Sequence, residues 1–185
     1  TILSINKTRA IFYYNFLELC MRDRLEIYPY FYLIKEKAMY TLHTEASFDS
    51  AHFLKDYQGK CRNIHGHRWK VRIEISGDSL QKEGSCRGMI LDFSEIKTEL
   101  REITEYFDHA LIIEKNSLKK SLLNALQEEQ FRIIEVEFRP TAEHFAKFFY
   151  EHFQKKGFPI SQALVYETPN NCASYSKDVI SYAEV

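Results

Sequence analysis

The sequence predicts an α+β fold: an antiparallel four-stranded sheet with two main helices on one face, in β-β-α-α-β-β order. Three observations lead there. Residues 67–77, HRWKVRIEISG, place Trp69, Val71, Ile73 and Ile75 on one face with charges opposite, the period-two pattern of a half-buried strand. Residues 92–107, DFSEIKTELREITEYF, repeat at three and four through Phe93, Ile96, Leu100, Ile103 and Phe107, one apolar stripe of a helix. The order of elements, strands first, then helices, then strands, suits a sheet covered on one side.

The first strand is expected over residues 39–54, where alternation is partial, and the second over 67–77. Asp78, Gly84 and Gly88 break the chain into a loop or hairpin over 78–88. Asp92 and Glu95 have capping-box spacing at the start of the helix 92–107. A short second helix is expected over 117–129 and a strand-like insert, FRIIEVEF, over 131–138. Thr141 then caps a helix that carries Phe145, Phe148, Phe149, His152 and Phe153 along one side and ends at Gly157. Residues 161–168 and 173–183 are the closing strands.

The 185 residues suit one domain, and a formal net charge of -1 advertises no nucleic-acid or anionic-membrane partner. No apolar run reaches the ~18 residues of a membrane helix. Cys20, Cys61, Cys86 and Cys172 show no C-x-x-C spacing, so the chain reads as cytoplasmic with reduced thiols. Residues 1–38 differ from the rest: eight Phe or Tyr, no glycine and no clear period. Met39 is expected to be the true start, with 1–38 mistranslated upstream sequence and 39–185 the functional domain. The alternative is an N-terminal extension that packs on that domain.

The chemistry concentrates in CRNIHGHRW, residues 61–69. His65 and His67 share one face of a strand because side chains alternate. His52 ends the first strand, so a hairpin brings three imidazoles together. Three histidines leave a fourth position open on zinc, the catalytic rather than the structural arrangement. Cys61 reads as a reactive thiol, as a small buried hydrophobe, or as a fourth ligand that closes the site. Asp108-His109 is a carboxylate beside an imidazole, a relay for protons or simply a helix end. Glu167 closes the apolar strand ALVYET, either as a strand-end carboxylate or as an acceptor for a ligand. Glu143 lies in the first turn of the late helix, where it complements the helix dipole.

Taken in order, FDSAHFL, C-x-x-x-H-G-H, G-M-I-L-D-F, D-H, P-T-A-E and E-T resemble the 6-pyruvoyltetrahydropterin synthase family, whose bacterial branch includes 6-carboxytetrahydropterin synthase of the queuosine pathway. The resemblance runs from about Met39 to Tyr175; residues 115–139 are longer than the bacterial pattern. It implies a tunnelling fold (T-fold) assembled as a homohexamer of two trimers, with sites at subunit interfaces. It implies zinc on His52, His65 and His67, a catalytic thiol at Cys61 and a relay at Asp108 and His109. It also implies a pterin anchor at Glu167, with Thr141 and Glu143 beside it.

The substrate the resemblance implies is 7,8-dihydroneopterin triphosphate. Its products are 6-carboxytetrahydropterin, acetaldehyde and triphosphate, or, for the pyruvoyl enzyme, a product that keeps the three-carbon side chain. Lys55, Lys60 and Arg62 lie near enough in sequence to face the triphosphate. A structural zinc module closed by Cys61 is the alternative of another class. A zinc hydrolase would require neither Glu167 nor the thiol.

Overall fold

The structure, a computed structural model, describes residues 39–177. The expectation for residues 1–38, and for the last strand beyond residue 177, lies outside the described residues.

β1 (Tyr40–His52) and β2 (His65–Gly77) pair antiparallel along their whole length, from Tyr40 opposite Gly77 to His52 opposite His65. Phe48 and Trp69 are cross-strand partners on the inner face, both buried. α1 (Phe93–Phe107) starts at Asp92, whose side chain accepts from the Ser94 N–H at 2.8 Å. Of the expected stripe, Ile96, Leu100 and Phe107 are buried and Ile103 partly so, whereas Phe93, at the first turn, is exposed. β3 (Ala110–Glu114), α2 (Lys120–Glu128) and β4 (Ile133–Val136) follow. α3 (Ala142–Lys155) is capped by Thr141, whose side chain accepts from the His144 N–H. It buries Phe145, Phe149 and Phe153 and stops at Gly157, whose φ of 87° is the left-handed conformation that glycine reaches without strain. β5 (Ile160–Thr168) and β6 (Asn171–Tyr175) close the sheet.

The α+β class and the two main helices on one face are as expected: α1, α3 and the inner sheet residues form a single core around Trp69, Val71, Ile73, Ile112 and Val165. The sheet itself differs. Among the described residues it has six strands in the order β4-β3-β1-β2-β5-β6 and is mixed, because β3 runs parallel to β1 and β4 parallel to β3. Ala110–Glu114 is a five-residue apolar run whose period says nothing, and a helix connection allows parallel pairing that no local pattern announces. A third helix, α2, buries no residue. Among the described residues no helix is long and apolar enough to cross a membrane.

Candidate metal centre and adjoining cavity

Register places the histidines. His52 faces His65 across the β1–β2 ladder, and Ser50 faces His67. The two-residue spacing then puts His65 and His67 over Trp69 on the core side of β2. Ring centroids lie 4.4 Å apart for His52–His65, 5.2 Å for His52–His67 and 4.9 Å for His65–His67. The Trp69 indole forms the floor, 5.1 Å from His52 and 5.4 Å from His67.

Two of the rings have their tautomer set by the backbone. His52 Nδ1 donates to the Pro140 carbonyl at 2.7 Å, and His65 Nδ1 donates to the Asn63 carbonyl at 2.8 Å. Each bond leaves Nε2 with its lone pair free. The Nε2 atoms of His52, His65 and His67 are all buried and without a hydrogen-bond partner. Burial pushes the His52 imidazole down to about 4 and lowers that of His67 as well, so both are neutral at pH 7. Glu167 Oε1 comes within 3.6 Å of His52 Nε2 and 3.5 Å of His67 Nε2. One atom from each of His52, His65, His67 and Glu167 lies within 4.8 Å of all the others, so the four could hold a metal ion. Three orphaned imidazole nitrogens and a carboxylate are a donor set that suits such an ion.

Cys61 is not one of these four. It sits on a single 3-10 turn, Lys60–Arg62, and its carbonyl accepts from the Leu54 N–H at 2.8 Å, which closes the loop between β1 and β2. Its side chain is half-buried and lines a cavity of about 280 Å³ together with Tyr57, Thr141, Glu143, Glu167 and Cys172. The structure thus brings four expected residues, Cys61, Thr141, Glu143 and Glu167, around one space beside the histidines. Tyr57, Asn171 and Cys172 also line it and were not expected. Tyr57 lies four residues before Cys61, and Asn171-Cys172 opens the strand after Glu167, so proximity to known candidates was the only signal.

Asp108 and His109 stand elsewhere in the same chain. Asp108 accepts from the Asp49 N–H at 2.7 Å and from His109 Nδ1 at 2.6 Å. The Asp49 N–H, and after it His109, hold the Asp108 carboxyl below its ordinary value. His109 is 79% exposed, adopts φ 53° and lines a larger groove of about 670 Å³ with Asp49, Gly66, His67 and Phe131. The left-handed backbone of a non-glycine residue costs on the order of 1 kcal/mol, offset here by the His109 N–H bond to the Asp49 carbonyl at 2.7 Å.

Comparison with known proteins places this geometry in a lineage. Residues 41–178 match the model of the family described as 6-pyruvoyl tetrahydropterin synthase. The 6-carboxy-5,6,7,8-tetrahydropterin synthase of Haemophilus influenzae is 36% identical over 142 residues, covering 75% of this chain and 100% of that protein. The enzyme of the same name from Aquifex aeolicus is 30% identical, covering 69% and 83%. Among solved structures, an uncharacterized protein from Wolinella succinogenes superposes with a TM-score of 0.64 at 22% identity, over 76% of this chain and 99% of that one. Caenorhabditis elegans 6-pyruvoyl tetrahydropterin synthase does so with a TM-score of 0.55 at 21% identity, over 78% and 100%. On the match across its folded domain and its identity to these relatives, the chain belongs to the 6-pyruvoyl tetrahydropterin synthase family.

Proposed function

We propose that this chain is a zinc-dependent 6-carboxy-5,6,7,8-tetrahydropterin synthase, a lyase that converts 7,8-dihydroneopterin triphosphate to 6-carboxytetrahydropterin, acetaldehyde and triphosphate. The observation that carries the reading is the convergence of three buried, unpartnered Nε2 atoms beside a cavity lined by a thiol and a carboxylate. The names of the Haemophilus and Aquifex relatives support the carboxy product.

His52, His65 and His67 would hold the zinc, which supplies a Lewis acid to the hydroxyls of the substrate side chain. Glu167 accepts the 2-amino group and the adjacent ring N–H of the pterin in a fork, as a carboxylate does from arginine. Thr141 and Glu143, at the start of α3, border the same ring. Cys61 takes a proton from the side-chain carbon that faces it. Asp108 orients His109, which moves protons on the other side. The reading includes assembly as a homohexamer, in which His109 of one subunit reaches Cys61 of another. It is supported by the placement of the two groups in different cavities of one chain.

The test is to incubate the full, zinc-loaded chain with 7,8-dihydroneopterin triphosphate, identify the pterin by mass and assay acetaldehyde. A carboxypterin with acetaldehyde is expected. A second reading, the pyruvoyl synthase, is favoured by the family model and the Caenorhabditis structure and predicts a three-carbon product without acetaldehyde. A structural zinc module closed by Cys61 is disfavoured, because Cys61 lies outside the group of residues that could hold a metal ion.

A further inference from the structure

Two of the described cysteines border one small space. Cys61 and Cys172 both line the cavity of about 280 Å³ that Tyr57, Glu143 and Glu167 share. Cys86, in the loop between β2 and α1, lines no part of that cavity.

The meeting of the two thiols follows from local features at either end. The Leu54 N–H bond to the Cys61 carbonyl folds the loop after β1 back on itself. Opposite it, the β5–β6 ladder slips: Tyr166 faces Cys172 and Thr168 faces Asn171, so Glu167 has no residue across from it. A bulge of this kind breaks the strict alternation of side chains and re-aims them. Thr168 Oγ1 accepts the N–H groups of Asn170 and Asn171 at 3.3 and 3.1 Å and holds the turn. Glu167 and Cys172 thereby border the same space as Cys61.

Both thiols are free, Cys61 half-buried and Cys172 exposed. Cys172 Sγ makes a weak 3.4 Å bond to the carbonyl of Ala173, the next residue of its own strand, which costs little to give up. A disulfide needs Cα atoms about 4.4–6.8 Å apart. Cys172 lies on β6, the edge strand of the sheet, and Cys61 on an isolated 3-10 turn. Segments of those two kinds yield most readily. No step of the pterin reading employs Cys172. A thiol kept reactive is also the one that peroxides attack, and a second thiol beside it decides whether the damage is reversible.

We propose that Cys172 is the resolving thiol for Cys61: a hydroperoxide oxidises Cys61, and Cys172 captures it as an intramolecular disulfide. In the first step the Cys61 thiolate attacks one peroxide oxygen and the O–O bond breaks. The sulfur becomes a sulfenic acid, and the other oxygen takes a proton and leaves as an alcohol, or as water from hydrogen peroxide. The Cys172 sulfur then displaces the sulfenic hydroxyl, which leaves as water with the Cys172 proton as the S–S bond forms. Two thiols are oxidised and one peroxide is reduced. The inference needs only the shared cavity, so it stands or falls separately from the pterin reading.

The experiment treats the full, zinc-loaded chain with near-equimolar hydrogen peroxide, alkylates the remaining thiols and maps the peptides by mass without reduction. The expected product is a peptide pair joined through Cys61 and Cys172 of one chain, restored to two thiols by dithiothreitol, with Cys86 still alkylated. In Cys172→Ser no bridge forms and Cys61 proceeds to the sulfinic acid, so the Cys61 thiol recovered by dithiothreitol is expected to fall about fivefold or more. Cys172→Ala, run beside it with thermal melts, keeps the comparison valid if serine disturbs β6. Recovery equal in the wild type and both variants overturns the proposal. So does a bridge from Cys61 to another cysteine or to a second chain, or a Cys61 that peroxide leaves reduced.

Discussion

Nδ1 of His52 donates a 2.7 Å hydrogen bond to the carbonyl of Pro140, one residue before the cap of α3. The bond ties the end of β1 to the start of the helix and turns Nε2 toward His65 and His67. His52 is 1% exposed, whereas the Nδ1 bond of His65 lies on the surface. His52→Ala should therefore abolish metal binding and also destabilise the metal-free chain by about 2–4 kcal/mol, through the cavity and the orphaned carbonyl. His65→Ala should lose metal while costing the metal-free chain about 1 kcal/mol or less. Metal content together with urea midpoints of the stripped proteins checks the contrast.

Cys61 lines the cavity but is outside the ligand group. Cys61→Ala is expected to keep stoichiometric metal and an unchanged melting temperature while turnover falls about 10²–10⁴-fold. Loss of metal together with folding would mean that the thiol closes the site instead.

Glu167 Oε1 stands 3.5–3.6 Å from Nε2 of His52 and His67, close enough to share an ion with them, but three histidines suffice to hold one and leave the carboxylate for the pterin. Glu167→Gln should weaken binding of 7,8-dihydroneopterin by about tenfold or more and leave metal content intact. Thr141→Ala, measured beside it, should cost about 1 kcal/mol of stability through loss of the α3 cap.

Asp108 has two separable jobs: one oxygen accepts the Asp49 N–H, the other holds His109. An amide can still accept the backbone bond but cannot stabilise a protonated imidazole. Asp108→Asn should fold normally and lose about 10²-fold or more in turnover, whereas Asp108→Ala should also lose about 1–3 kcal/mol of stability. Parallel melts and rates separate the two.

Glu99 of α1 accepts from Lys156 Nζ and meets His152 Nε2, joining α1 to the end of α3. Burial raises its carboxyl, but the His152 and Lys156 bonds outweigh that and leave it below its ordinary value of 4.5. A carboxylate depressed in the folded state contributes stability that is fully present above pH 4.5 and is lost as the pH falls through the folded value. Urea midpoints of the wild type should drop more steeply below pH 4.5 than those of Glu99→Gln, which should be the less stable of the two at pH 7.

Much of this was legible from local pattern. The two-residue spacing of His65 and His67 set their common face, and Asp92, Thr141 and Gly157 marked the helix ends where the backbone needs them. The parallel strand β3 was not legible, because Ala110–Glu114 is short and apolar and its partner Ser50–His52 lies some sixty residues away. Tyr57 and Cys172 were hidden for the same reason: neither sits in a motif, and only folding brings them to one cavity. Asp108 and His109 were recognisable as a pair, but a dipeptide says nothing of which cavity it borders.

Trp69 is the only tryptophan in the chain, and its indole is shared between the histidine floor and the aromatic core, 5.1 Å from both His52 and Phe145. The protein thereby carries its own optical reporter. Emission excited at the red edge of absorption comes from this one ring, whose neighbours are the groups that would take a cation on one side and the packing that defines the native state on the other. Quenching on addition of metal and a red shift on unfolding become two readings of a single unlabelled chromophore.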